Sequence, residues 1–147
     1  MSNTVKRVLI TGRQGFTGRY MTAELEKSGR YCVYGIGDAV GTYPNDLKIN
    51  LADHHSLEQA IASLQPDVVI HLAAMAFVGH SDAREFYQTN LIGTHNLLNA
   101  LSRSTPRPSA VLLASSANIY GNTSEGILSE ASKANPINEY AVSKLSM

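Results

Sequence analysis

Tyr140 and Lys144 stand four residues apart in "NEYAVSK". In a helix that spacing places both side chains on one face. A phenol has an ordinary pKa of about 10, too high for easy base chemistry near neutrality. A neighbouring ammonium favours the phenolate and draws that pKa down. Two serines, Ser115 and Ser116, stand in "ASSANIYG" after an apolar run. A hydroxyl at a strand end can donate a hydrogen bond to the oxygen whose proton the tyrosine moves. Taken alone the Tyr/Lys spacing is weak, because a packed Tyr beside an exposed Lys is commoner than a catalytic pair.

A second chemical element lies near the start. "TGRQGFTG" places Gly12, Gly15 and Gly18 three apart, between a β-branched run and a helical pattern. Glycines permit unusual backbone angles and clear the approach path. A helix N-terminus behind them offers N–H groups and partial positive charge to a pyrophosphate. A tight turn without a ligand is the bland alternative. The strand-before, helix-after context favours dinucleotide binding. With a nicotinamide dinucleotide bound, one of these serines, Tyr140 and Lys144 would move a proton while a hydride is transferred.

Asp38, in "GIGDAVG", lies where a ribose contact is expected after the second strand. Its carboxylate accepts from both ribose hydroxyls and repels a 2′-phosphate. No Lys or Arg occurs between Tyr31 and Leu47. The expectation is NAD, with NADP kept open because Arg13 could reach a 2′-phosphate from the first loop. A solvated loop carboxylate is the alternative for Asp38.

These groups need elements to position them. The sequence predicts strands over Val5–Thr11, Tyr31–Ile36, Leu47–Leu51, Val68–Leu72 and Ala110–Ser115. It predicts helices over Tyr20–Ser28, from Ser56 toward Pro66, over Ala83–Ser102 and from Asn138 onward. Apolar strands alternating with helices mean an α/β fold, a doubly wound parallel sheet covered on both faces. Its ligand site belongs at the carboxyl ends of the strands.

The 147 residues fit one domain, with 44% hydrophobic and 16% charged side chains. Twelve basic and twelve acidic residues cancel, giving no reason to expect nucleic acid or an acidic membrane as partner. The one cysteine, Cys32, sits in an apolar run and reads as a structural thiol. No membrane-length apolar stretch or signal-peptide pattern occurs, so a cytoplasmic location is expected, and no metal-ligand spacing is seen.

The chain resembles the extended short-chain dehydrogenase/reductase family, in its branch of nucleotide-sugar epimerases, dehydratases and reductases. "TGRQGFTG", "VVIHLAA", "QTNLIGTHNLLNAL", "SSANIYG" and "YAVSK" carry the resemblance, in order. It implies a Rossmann-type fold with Ser116 as catalytic serine, Tyr140 as general acid/base and Lys144 as its activating partner and a cofactor contact. It implies cofactor contacts from Gly12, Gly15, Phe16, Thr17, Gly18, Asp38, Asn50, Leu51, Leu72, Ala73 and Ala74. Phe16 would cover the pyrophosphate. Asn90 is the structural asparagine of the family, grouped with the cofactor contacts. Val78 and His80, in "FVGHS", would border the sugar beside Ser116.

Two places depart from the family pattern, and the second narrows the reaction. Asn50 stands where many members have an aspartate against adenine. Ala117 and Asn118 stand where dehydratases carry an acidic pair, so 4-keto reduction or epimerisation is expected over dehydration. The nearest likeness is to GDP-4-keto-6-deoxy-mannose reductases, implying a GDP- or other NDP-sugar substrate. Members are about twice this length, so residues 1–147 read as the cofactor half, a homodimer when full length, with a marginal final helix. The alternative is a short, non-catalytic dinucleotide-binding module.

Overall fold

The computed structural model describes residues 5–39, 41–76, 82–122 and 126–147. Val78 and His80 lie outside the described residues. Five parallel strands form one sheet in the order β3-β2-β1-β4-β5. They are β1 (Lys6–Thr11), β2 (Tyr31–Gly37), β3 (Asp46–Lys48), β4 (Val68–His71) and β5 (Ala110–Leu113). Helices α1 (Phe16–Lys27), α2 (His54–Leu64) and α4 (Gly93–Arg103) pack on it, α3 (Ala83–Phe86) and α5 (Glu139–Ser146) pack on each other, and the edge strand β5 leaves Val111 and Leu112 exposed rather than covered as expected.

Side chains alternate across the sheet because successive Cβ atoms point to opposite faces. Leu9, Ile36 and Val69 therefore join Leu57, Ile61, Leu97 and Leu101 of α2 and α4. Val8, Ile10, Val33 and Ile70 join Met21 and Leu25 of α1 on the other side. Val8 pairs with Val33 on one flank and Val68 on the other. Each such side chain, fully buried, contributes roughly 1.5–3 kcal/mol. This two-faced core is what holds the carboxyl ends of β1 and β4 still. The strand order reverses between those two strands, which opens a crevice there.

Several boundaries differ from expectation for local reasons. α1 starts at Phe16 rather than Tyr20, directly off the glycine turn. β3 is Asp46–Lys48 rather than Leu47–Leu51. Asn50 ends it early: its Oδ1 accepts from the Ala52 N–H at 2.7 Å, a side-chain turn that competes with the ladder. α2 starts at His54 rather than Ser56, because Asp53 is its N-cap and accepts from the Ser56 N–H at 3.1 Å.

The expected unbroken helix from Ala83 contains a π-helical segment, Tyr87–Ile92, between α3 and α4. Such segments widen the turn by a residue and often mark functional places. Here the widened turn seats Asn90, which is fully buried.

Candidate functional site

The turn after β1 shows a division of labour among its glycines. Gly12 has φ +72°, and a Cβ there would lie 2.7 Å from the Ala73 backbone nitrogen. It lets β1 and the end of β4 come together. Gly18 is buried, and a Cβ on it would collide with the Gly12 carbonyl. It lets α1 pack on the turn. Gly15 is exposed and caps α1 without a side-chain hydrogen bond. With no side chain there, the N–H groups of the first turn of α1 are left open. Thr17 is exposed in that turn, and Phe16 is turned outward, its ring 5.0 Å from that of Tyr20.

Beside the turn lies a cavity of about 400 Å³ at the carboxyl ends of β1, β2 and β4. Gly12, Gly15, Asp38, Asn50, Leu51, Leu72, Ala73 and Ala74 line it, as the sequence expects of cofactor contacts. Arg13 lines it too, as do Gln14, Asp46, Met75, Gln88 and Thr89, which sequence reasoning did not name. Asp38 is exposed at its β2 end. An open anion cradle, an apolar floor and a terminal carboxylate fit a dinucleotide.

Ser116, Tyr140 and Lys144 are placed apart from that lining. Ser116 caps a short 3₁₀ turn, Ala117–Tyr120, its Oγ accepting from the Asn118 N–H at 3.2 Å. Accepting with the oxygen leaves the O–H able to donate elsewhere. α5 packs against that turn and against the π segment. Tyr140 is half-buried, its ring centroid 6.3 Å from that of Phe86. Lys144 is only 5% exposed. Burial holds its ammonium below the ordinary lysine range. Its partner is the Met147 Sδ at 3.1 Å, a weak acceptor. A hydroxyl-bearing ligand would satisfy that buried cation better.

α5 has eight residues, a length that is marginal in isolation. It is tied down at three points. Asn138 caps it, accepting from the Ala141 N–H at 2.8 Å. The Tyr87 hydroxyl donates to Glu139 at 2.5 Å, which raises the phenol's pKa. Asn90 donates to the Ser143 hydroxyl at 2.9 Å, and that hydroxyl donates to the Tyr140 carbonyl.

Asn90 also accepts from the Met75 N–H at 2.8 Å and donates to the Met75 carbonyl at 3.1 Å. Its amide is thus occupied by the protein itself. It joins the loop after β4 to the helix bearing Tyr140 and Lys144.

A buried chain of hydrogen bonds runs beneath these groups. The Thr94 hydroxyl donates to the Asn90 carbonyl at 2.5 Å. Toward His71 Nε2, 2.8 Å away, it must therefore accept, so Nε2 carries the hydrogen. His71 Nδ1 is then bare and accepts from the Thr11 hydroxyl at 2.6 Å. The Thr11 oxygen accepts in turn from the Ala73 N–H at 3.2 Å. Burial, with the nearby Lys144 charge, pushes the His71 pKa down to about 4. His71 is therefore neutral near neutral pH. A histidine inside the apolar run "VVIHLAA" was the one sequence signal for this chain; nothing local marked Thr11 or Thr94.

The model of the NAD dependent epimerase/dehydratase family matches residues 8–147. The chain belongs to that family. It is 31% identical over 138 residues to GDP-6-deoxy-D-talose 4-dehydrogenase of Aggregatibacter actinomycetemcomitans, covering 94% of this chain and 45% of that one. Among solved structures it is 44% identical to a candidate epimerase from Burkholderia cenocepacia, with TM-score 0.85 over 99% of this chain and 49% of that one. UDP-glucose 4-epimerase of Thermus thermophilus, solved with NAD, is 31% identical with TM-score 0.82, covering 94% of this chain and 47% of that one. The chain spans about half the length of the curated relatives it matches. Family membership confirms the Rossmann-type sheet expected from the motifs. Among the described residues no helix is long and apolar enough to cross a membrane.

Proposed function

We propose that this chain is the cofactor-binding half of an NAD-dependent nucleotide-sugar epimerase or reductase acting at a sugar hydroxyl or ketone, with Tyr140 as general acid/base. The observation that carries the reading is one fold holding both an anion cradle with a carboxylate-ended cavity and a helix bearing Tyr140 and a buried Lys144. Relatives named as 4-epimerases and a 4-dehydrogenase favour carbon 4 as the reacting position. Ala117 and Asn118 supply no acid for loss of water, which disfavours dehydration. Neighbours solved with NAD support that cofactor.

Bound NAD would supply the hydride acceptor. The chain's own residues do the rest in this reading. The first turn of α1 receives the pyrophosphate and Asp38 the adenosine ribose. Lys144 favours the phenolate of Tyr140 and offers a donor to the second ribose. Ser116 donates to the substrate oxygen while Tyr140 exchanges a proton with it. Val78 and His80 are proposed to border the sugar. The substrate is a GDP- or UDP-linked hexose, the working state a homodimer, and the location cytoplasmic.

The test compares the whole enzyme with its Tyr140→Phe variant on GDP- and UDP-hexoses with NAD. Loss of about 10²–10⁴-fold in turnover with unchanged NAD affinity is expected. Full turnover in Tyr140→Phe would remove the tyrosine from the reaction.

A further inference from the structure

Arg13 is the sole cation among the described residues that line the cavity. Its position next to Gly12 suggests a hand for a 2′-phosphate. The structure places it otherwise. Arg13 is only 2% exposed. Its Nε donates to the Thr22 hydroxyl at 3.2 Å, one terminal nitrogen to Asp46 at 3.0 Å, and the other to Glu26 at 2.8 Å. The Tyr43 ring covers its face at 3.9 Å.

Asp46 is the hub of this arrangement, its side chain 5% exposed. Its second oxygen accepts from Gln14 at 2.6 Å and from the Tyr43 N–H at 3.2 Å. Gly35 and Gly41 make room for it, since a Cβ on either would collide with its side chain. The carboxylate thus staples the glycine turn to the loop after β2, the same loop that presents Asp38.

We propose that Asp46, seconded by Glu26, is a cofactor-specificity residue: it locks Arg13 into buried ion pairs and so withholds the cavity's guanidinium from a 2′-phosphate. The inference rests on reading the cavity as a dinucleotide site. Two carboxylates, Asp46 and Glu26, hold the guanidinium, and a third, Asp38, lines the same cavity. A 2′-phosphate carrying about −1.5 to −2 charges meets net repulsion there. The guanidinium's planar fork is well suited to phosphate. Selectivity for NAD thus comes from how Arg13 is held, with Asp38 adding to it.

The test measures dissociation constants for NAD and NADP by titration, with tyrosine fluorescence as the signal. Asp46→Asn combined with Glu26→Gln removes both charges. The ratio of NADP to NAD dissociation constants should fall about tenfold or more, the equivalent of one charge-assisted hydrogen bond. Adding Arg13→Met to that pair should restore much of the ratio. An unchanged ratio in a folded double variant would overturn the proposal. Should the double variant fail to melt cooperatively, Glu26→Gln alone, at a half-exposed site, should still lower the ratio roughly two- to threefold by weakening one of the two ion pairs; no change there would also overturn it. Absence of NAD binding by the unaltered protein would instead refute the dinucleotide reading itself.

Discussion

His71 makes the stability of this fold depend on pH in a window where an ordinary surface would not. The perturbation is acidification from about pH 7 to about pH 5. The folded-state pKa is about 4, against 6.5 for an unperturbed imidazole. Between those values the unfolded chain binds the proton that the folded chain refuses. Stability therefore rises with pH through the window and is lost as pH falls. Integrating from about pH 7 to about pH 5 gives a loss of roughly 2 kcal/mol, and the full difference approaches roughly 3 kcal/mol near pH 4. The cause is structural: burial disfavours the charged ring, and the Lys144 charge opposes a second one nearby. Urea denaturation at a series of pH values, followed by tyrosine fluorescence, measures it. His71→Gln removes the titrating group and should flatten most of that slope, at the cost of a lower plateau. A wild-type stability that is flat across that window, or an equal slope in His71→Gln, would refute the reasoning.

Three further outcomes follow from the same geometry. Gly12→Ala puts a side chain at φ +72° and 2.7 Å from the Ala73 nitrogen; it should destabilise by about 1–3 kcal/mol and abolish NAD binding, checked by denaturation and titration. Asn90→Ala strips partners from both Met75 backbone groups and from Ser143; a loss of roughly 3 kcal/mol is expected, with faster amide exchange in α5 than in β1. Lys144→Met should raise the pH at which turnover reaches its plateau, read from pH–rate profiles, because the phenolate of Tyr140 loses its neighbouring charge; an unmoved profile would argue against that role.

The sheet was legible because its signals are local and repeated. Val8, Leu9 and Ile10 are apolar on successive residues, which is how a strand buried on both faces reads. The glycine turn was legible because its spacing follows from the geometry of strand, turn and helix together. The ends of elements were harder to read. Asn50 and Asp53 each spend a side chain on the backbone, and such competition shifts a boundary by a residue or two. The π segment carries no propensity signal of its own, since it exists to seat Asn90 against Met75 and Ser143, contacts far apart in sequence. The same is true of Arg13. Its sequence position beside Gly12 suggested a phosphate contact. Asp46, thirty-three residues away, is what turns it inward.

The central claim is that this site passes a hydride between a sugar carbon and NAD. A GDP- or UDP-hexose carrying deuterium at carbon 4, incubated with NAD and the whole enzyme of which this chain is proposed to be the cofactor half, and quenched during turnover, tests it directly. Mass spectrometry of the recovered cofactor should find deuterium on the nicotinamide. Turnover with the deuterium kept wholly at carbon 4, or lost to water, would contradict the account, as would saturable NAD binding with no transfer from any hexose tried.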